Sequence, residues 1–368
     1  MRVLLINSVC GTGSTGRICA DLAKQFEKEG HEVRIAYGRV KKIPQEMEKY
    51  GYYIGSEMEV RFHGLLSKTL DFHGRGSVFA TKRFLKWAEK YQPDLLWLHN
   101  LHGYYINYPM LFSWIKKHPQ MEVRWTLHDA WPLTGHCAHF MESGCAKWQT
   151  HCEKCEHGAK YPSRLFVDSS FSNYEKKKQA FCHVKNLTLI TPSQWLADTV
   201  KKSFLREYPV TVVHNEINRN VFQPTKSGFR KAHDLDGKTM LLGVASPWTK
   251  EKGLDDFICL SKMLHENEKI VLVGLSKEQL KRIPPEIIGL ARTQDAPELV
   301  GIYSTADLFL NLTYEDNYPT VNLEAEACGT PVISYDTGGC RETLQDPRSR
   351  TVPTGDLEQV LRIVRNEE

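Results

Sequence analysis

Residues 314–331 read YEDNYPTVNLEAEACGTP and follow an apolar run, Ala306-Asp307-Leu308-Phe309-Leu310-Asn311-Leu312. That run has the length and composition of a buried strand. The stretch after it predicts a helix from about Thr320 to Cys328, with Pro319 at the entry and Gly329 just past the end. At such a start the N–H groups of Thr320, Val321 and Asn322 have no intrahelical acceptor, and the peptide dipoles add partial positive charge. A phosphate suits that position. Asp316 and Glu324 flank it as carboxylates that can accept hydrogen bonds from sugar hydroxyls.

Working outward, the same strand–turn–helix unit recurs. Downstream, Val332-Ile333-Ser334-Tyr335 is a strand that leads into Thr337-Gly338-Gly339, and the chain closes on a helix between Gly355 and Glu368. Upstream, strands are expected at 240–245 and 269–273, each followed by a Gly-bearing turn. A polar linker, Gln223 to Lys238, precedes them. Before it, strands are expected at 2–7, 31–37, 94–99, 123–129, 184–193 and 208–215. Ser193 is placed to cap the helix beginning Gln194-Trp195-Leu196. Residues 40–90 carry no clear periodicity, and Lys41-Lys42 and Phe72–Gly76 read as a basic loop. The alternation of strands and helices predicts an α/β protein with parallel sheets. At 368 residues the chain exceeds one typical core, so we expect two domains, 1–222 and 223–368.

The first unit opens with Gly11, Gly13 and Gly16 in G-x-G-x-x-G spacing after a strand. The dinucleotide reading of that spacing wants an acid at the end of the second strand, where this chain has Gly38-Arg39. A dehydrogenase is therefore disfavoured. Two later strands end in histidine, at His99 and His128, where open α/β sheets bind ligands. Asp129 is placed to orient the His128 imidazole.

The stretch from Tyr314 resembles the signature of glycosyltransferase family 4: an acid, seven residues, then Glu-Ala, small residues, Gly-Thr-Pro and a strand. Glu324-Ala325-Glu326-Ala327-Cys328-Gly329-Thr330-Pro331 carry the match, with Asp316 at the first acid and Glu315 one place off register. The resemblance implies a GT-B fold, two Rossmann-like domains facing across a cleft. It implies a retaining transfer of a sugar from a nucleotide diphosphate sugar, of UDP or GDP type, to a glycan or lipid-linked glycan, with no catalytic metal. The resembled branch makes bacterial surface polysaccharides and carries a cysteine-bearing insertion, here about 134–160. By resemblance Glu324 binds the ribose, Asp316 the sugar hydroxyls, Lys252 the diphosphate and His128 the sugar. Gly11, Gly13, Ser14, Lys250, Thr293, Pro319, Thr320, Val321 and Asn322 complete the donor site. The family's diphosphate-clamping Arg is missing, with Pro247 and Trp248 in its place.

Cys137, Cys145, Cys152 and Cys155 fall within the insertion, and Cys152-x-x-Cys155 has zinc-knuckle spacing. Four thiolates would make a closed, structural zinc site. The ten cysteines are expected reduced, because the short apolar start reads as a strand rather than a signal peptide and so points to the cytoplasm. A charge of +4 does not argue for nucleic acid and is compatible with peripheral contact with an anionic membrane. No apolar run approaches the roughly 20 residues that span a bilayer. Two other readings stay open: a sugar-nucleotide epimerase of the same architecture, and a non-catalytic, zinc-stapled binding protein.

Overall fold

The computed structural model describes residues 1–367; Glu368 lies outside them. The chain divides into two units. The first comprises residues 1–140 and 144–213, and the second residues 141–143 and 214–368. The division falls ahead of the expected boundary, because the polar segment after His214 folds onto the second unit. Within that segment Arg230 pairs with Asp307 at 2.9 Å.

In the first unit the strands are β1 (Arg2–Ile6), β2 (Glu32–Tyr37), β3 (Gly51–Tyr53), β4 (Leu95–Leu98), β5 (Glu122–Thr126), β6 (Leu187–Thr191) and β7 (Val210–Val212). They form one parallel sheet in the order β3-β2-β1-β4-β5-β6-β7. Successive side chains of a strand face opposite sides. Thus Leu4 and Ile6 enter one core with Leu96, Trp125 and Phe181, while Val3 and Leu5 enter another with Ala20, Ala23 and Ile35. Ser193 caps the helix Gln194–Lys201, accepting from the Leu196 N–H at 3.2 Å.

The second unit holds β8 (Thr239–Val244), β9 (Glu268–Val273), β10 (Ile287–Leu290), β11 (Leu308–Asn311), β12 (Val332–Tyr335) and β13 (Arg350–Val352). Its sheet is also all parallel, in the order β10-β9-β8-β11-β12-β13. Leu241, Leu310 and Ile333 face one core; Met240, Leu242 and Phe309 face the other. The chain winds outward both ways from β1/β4 and from β8/β11. The crevice at the carboxyl ends of such a pair is where open sheets bind ligands.

The region 40–90 is more ordered than its sequence suggests. It contains the helices Glu57–Leu70 and Val78–Tyr91. The first is hard to read because it buries its polar side, His63 and Ser67, and exposes apolar residues. The His63 Nε2 accepts from the Gly76 N–H at 3.0 Å, so the ring must be neutral there. Burial depresses its pKa from 6.5 to about 4. The unfolded chain then binds a proton that the folded chain refuses. Stability should fall by up to about 1.4 kcal/mol per pH unit from this residue as pH drops from 6.5 towards 4, and be insensitive to it above that window. Denaturant titrations at stepwise lower pH, with His63→Gln flattening the dependence, check this.

Candidate functional site

In the second unit three loops meet at the carboxyl ends of neighbouring strands. They are residues 245–253 after β8, 312–319 after β11 and 336–339 after β12. The first is strapped to the second: the Glu251 carbonyl accepts from the Tyr314 N–H at 2.8 Å and the Thr313 hydroxyl at 3.1 Å. Gly253 has φ +74, and a Cβ there would lie 2.1 Å from the Leu312 carbonyl oxygen. Only glycine lets the strands' loops approach this closely. The third loop closes on the second in the same way. Gly338 has φ +55, a Cβ there would meet the Asp316 carbonyl oxygen at 1.9 Å, and the Gly339 N–H donates to that oxygen at 3.2 Å.

This backbone brings Lys252 and Asp316 together, with Nζ 2.7 Å from Oδ2 and both side chains half-buried. Burial alone would lower the Lys252 pKa; the Asp316 carboxylate outweighs it, and the ammonium titrates above its ordinary range. Asp316 also accepts from the Tyr318 N–H at 3.2 Å, and the Tyr318 ring stacks on His214 at 4.9 Å. Glu315, the off-register acid, is buried and accepts from the Glu142 N–H at 3.2 Å. Asp316, not Glu315, thus faces the lysine.

The expected helix forms over Thr320–Ala327, with Pro319 as the residue before it and no side-chain cap. Among the described residues the Thr320 and Val321 amides make no hydrogen bond, whereas the Asn322 N–H donates to the Pro319 carbonyl at 3.3 Å. The Asn322 amide therefore departs from the expected free set. Its side chain is fully buried, accepting from Asn311 Nδ2 and donating to Thr343 Oγ1, each at 2.8 Å. It anchors the helix to β11 and to the turn after β12. Asn322→Ala should strand both partners and cost about 2–4 kcal/mol of stability, read as a shift in the denaturant midpoint. Glu324 is half-buried and accepts from the Tyr303 hydroxyl at 3.2 Å.

Other expected donor residues stand farther out. Lys250 is exposed, 3.7 Å from Glu142. Thr293 follows β10, the edge strand, with β9 and β8 between it and β11. Trp248, at the place of the family's clamping Arg, is a core residue whose indole donates to the Val273 carbonyl at 2.8 Å.

In the first unit Gly11 and Gly13 have φ +68 and +66 and lead into the helix Gly13–Lys28, with Ser14 exposed in its first turn. Buried Asn7 ties the loops after β1 and β4 together. It donates to the Val9 carbonyl at 2.9 Å and accepts from the Asn100 N–H at 3.3 Å. At the ends of β4 and β5, His99 Nδ1 and His128 Nε2 lie 3.0 Å apart, one donating and the other accepting. Burial holds both rings neutral, with the His128 pKa lowered to about 4.

Asp129 does not orient His128 as expected. Its Oδ2 lies 2.7 Å from His102 Nε2, and its Oδ1 accepts from the Trp131 N–H at 2.9 Å. Burial raises the carboxyl pKa, but His102 and these hydrogen bonds outweigh it and hold the group at about 2. His102 Nδ1 continues to the Tyr161 hydroxyl at 3.0 Å. This tyrosine–histidine–aspartate line was not read from the sequence. Neither was buried Lys177, which donates to the carbonyls of Trp131 at 2.6 Å and Thr134 at 2.9 Å and fixes the segment after Asp129. Its apolar surroundings lower the ammonium pKa to about 7.

Among the described residues no group of three or more His, Cys, Asp or Glu is placed to hold a metal ion. Cys137, Cys145 and Cys152 pack in a small apolar cluster with Phe140, Trp148 and Tyr174, and Cys155 lies near enough to act electrostatically on Cys137 and Cys152. Burial raises the thiols of Cys137 and Cys152, to about 12 and about 11. Cys155 stands at intermediate exposure and donates its N–H to Asp168 at 2.7 Å.

Two Rossmann-like units, each built on a parallel sheet, are the GT-B class of glycosyltransferase fold. Among solved structures, sucrose-phosphate synthase from Thermosynechococcus elongatus superposes with a TM-score of 0.69 at 13% identity, covering 99% of this chain and 89% of that one. Anabaena Alr3699/HepE in complex with UDP gives 0.65 at 14% identity, with 100% and 89% covered. The chain belongs to glycosyltransferase family 4, whose profile ("Glycosyltransferase Family 4") matches residues 15–221, more than half of it. A second profile, "Glycosyl transferases group 1", matches residues 225–359. WcaC of Escherichia coli (strain K12), named as a colanic acid biosynthesis glycosyl transferase, is 24% identical over 380 residues, covering 100% of this chain and 91% of WcaC.

Proposed function

We propose that this chain is a retaining glycosyltransferase that moves a sugar, of hexose type, from a nucleotide diphosphate sugar to a hydroxyl of a glycan or lipid-linked glycan in bacterial surface polysaccharide synthesis. The Lys252–Asp316 pair beside an uncapped helix start carries the reading. It puts one cation and one carboxylate, Asp316, on adjoining loops, and two unused amides and a second carboxylate, Glu324, in the first turns of the helix that follows. A leaving diphosphate needs such fixed positive charge, because the transition state develops charge on its oxygens. In this reading Lys252 and the Thr320 and Val321 amides take the diphosphate. Glu324 takes the ribose hydroxyls, and Asp316 the sugar hydroxyls. His128, held neutral against His99, offers the sugar a hydrogen bond without a charge.

The bond from the anomeric carbon to the phosphate oxygen breaks, and a bond from the acceptor oxygen forms on the same face. The acceptor's proton goes to the departing phosphate, and no protein nucleophile is required. The UDP bound in the HepE neighbour supports a uridine-type donor, and the full-length similarity to WcaC supports a polysaccharide acceptor. The test is product stereochemistry. Incubation with a panel of UDP- and GDP-sugars and lipid-linked oligosaccharide should give a product whose anomeric proton coupling matches that of the donor. An inverted product would refute the retaining reading. Epimerised free donor without any transfer would refute the transferase reading.

A further inference from the structure

We propose that Tyr161, held in place by His102 and Asp129, accepts a hydrogen bond from a hydroxyl of the acceptor sugar, a role that rests on the transferase reading and names the group that selects the acceptor. After β5 the chain leaves through the cysteine-bearing segment and returns at Tyr161. Backbone hydrogen bonds fix the return. The Ala138 carbonyl accepts from the Ala130 N–H at 2.8 Å, and the Ala138 N–H donates to the Tyr161 carbonyl at 3.2 Å. The phenol is thereby tied to the bend that carries His128 and Asp129.

The polar line decides what the phenol offers. Asp129 is buried and ionised, and an ionised carboxylate only accepts hydrogen bonds. The His102 Nε2, 2.7 Å from its Oδ2, therefore carries a hydrogen. In the neutral ring Nδ1 is then bare, and the Tyr161 hydroxyl donates to it across 3.0 Å. With that hydrogen committed to His102, the phenol oxygen turns only lone pairs outward. Its partner has to be a donor, and a sugar hydroxyl is one. This hydroxyl is a neighbour of the attacking one, whose own hydrogen goes to the departing phosphate. Tyr161 touches the ligand; His102 and Asp129 are positioning residues.

Tyr161 is 43% exposed, His102 is half-buried and Asp129 is buried. A line from a buried anion to an exposed phenol adds little stability, because desolvation of the charge offsets its contacts. What it does achieve is to hold a surface hydroxyl in one orientation, as a binding site requires. Aromatic rings surround the line. Tyr161 meets the rings of His102 and His73 edge-on, with centroids 5.4 Å and 5.9 Å apart, and Tyr104 stands 5.3 Å from His73. Aromatic walls with a few placed polar groups are the common lining of a small-molecule site. His73 adds an unused donor to the cluster. Its Nδ1 accepts from the Trp131 indole N–H at 2.5 Å, so the hydrogen of the neutral ring lies on Nε2, which is buried without a partner. His102 and Asp129 follow β4 and β5, the strands that lead to His99 and His128. The acceptor sugar thus shares a sheet edge with the sugar that His128 holds.

The experiment measures initial rates for the parent chain, Tyr161→Phe and His102→Gln. Lipid-linked oligosaccharide is varied at saturating donor, and then the donor is varied. His102→Gln keeps a donor for Asp129 and takes away the acceptor of the Tyr161 hydroxyl. We expect each variant to raise the acceptor KM by about threefold to tenfold, the scale of one neutral hydrogen bond, and to leave the donor KM unchanged. Tyr161→Phe should melt with the parent, because the ring is kept and the side chain is exposed. An acceptor KM in Tyr161→Phe equal to that of the parent overturns the proposal. So does a rise shared equally by the donor KM together with a lower melting temperature, because the line would then only brace the bend at His128. A parent that transfers no sugar from any donor refutes the transferase reading and this proposal together, whereas active transfer with the acceptor KM unmoved refutes this proposal alone.

Discussion

Lys252→Gln is expected to lower kcat/KM for sugar transfer by about 10²–10³-fold, the scale of removing one preorganised charge-stabilising contact. The fold should survive the change. The Lys252–Asp316 pair is half-exposed, and such pairs contribute about 1 kcal/mol or less to stability. The loop is held by Gly253, Thr313 and the Glu251 carbonyl, none of which depends on the ammonium. The loss should fall on kcat as well as on KM, because charge on the diphosphate grows as it leaves. Steady-state kinetics beside a thermal melt separate this from unfolding. A large drop in melting temperature with kcat unchanged would place Lys252 in the structure rather than in the chemistry.

The second large effect is expected at Glu324. Glu324→Gln keeps an oxygen able to accept from the buried Tyr303 hydroxyl, so the helix Thr320–Ala327 stays seated. It removes the negative charge that ribose hydroxyls would donate to. Hydrogen bonds to charged groups contribute about 1.5–3 kcal/mol, so kcat/KM should fall roughly 10–10²-fold. Glu324→Ala goes further, because it leaves the Tyr303 hydroxyl buried without an acceptor and should lose an additional 1–3 kcal/mol or so of stability. The contrast is the useful measurement. If Gln and Ala lose equal activity and equal stability, the carboxylate is only a partner for Tyr303.

Much of the second unit was legible because its signals are local. The apolar run before Tyr314, Pro319 at the helix entry and Gly329 beyond its end set the strand and helix to within a residue or two of the observed bounds. Gly253 and Gly338 mark close backbone approaches that no other residue permits. The failures have other causes. Asp129 follows His128 in sequence, yet both lie in the bend after β5, where chain neighbours need not face each other, and the carboxylate found His102 from the loop after β4. Asn322 was expected to leave its backbone N–H free at the helix start, but that N–H reaches back to the Pro319 carbonyl, a local turn that residue types do not announce. The helix Glu57–Leu70 escaped notice because its polar and apolar faces are exchanged.

The central claim is that the tip formed by Lys252, Asp316 and the Thr320 and Val321 amides holds a diphosphate. Calorimetric titration of UDP, GDP and ADP, each beside its monophosphate, into the parent chain and Lys252→Gln tests it most directly. At least one diphosphate should bind the parent about tenfold or more tighter than its monophosphate, a gap of roughly 1.4 kcal/mol, and that gap should close in the variant. Equal affinity for mono- and diphosphate in the parent, or an undiminished gap in Lys252→Gln, would contradict it.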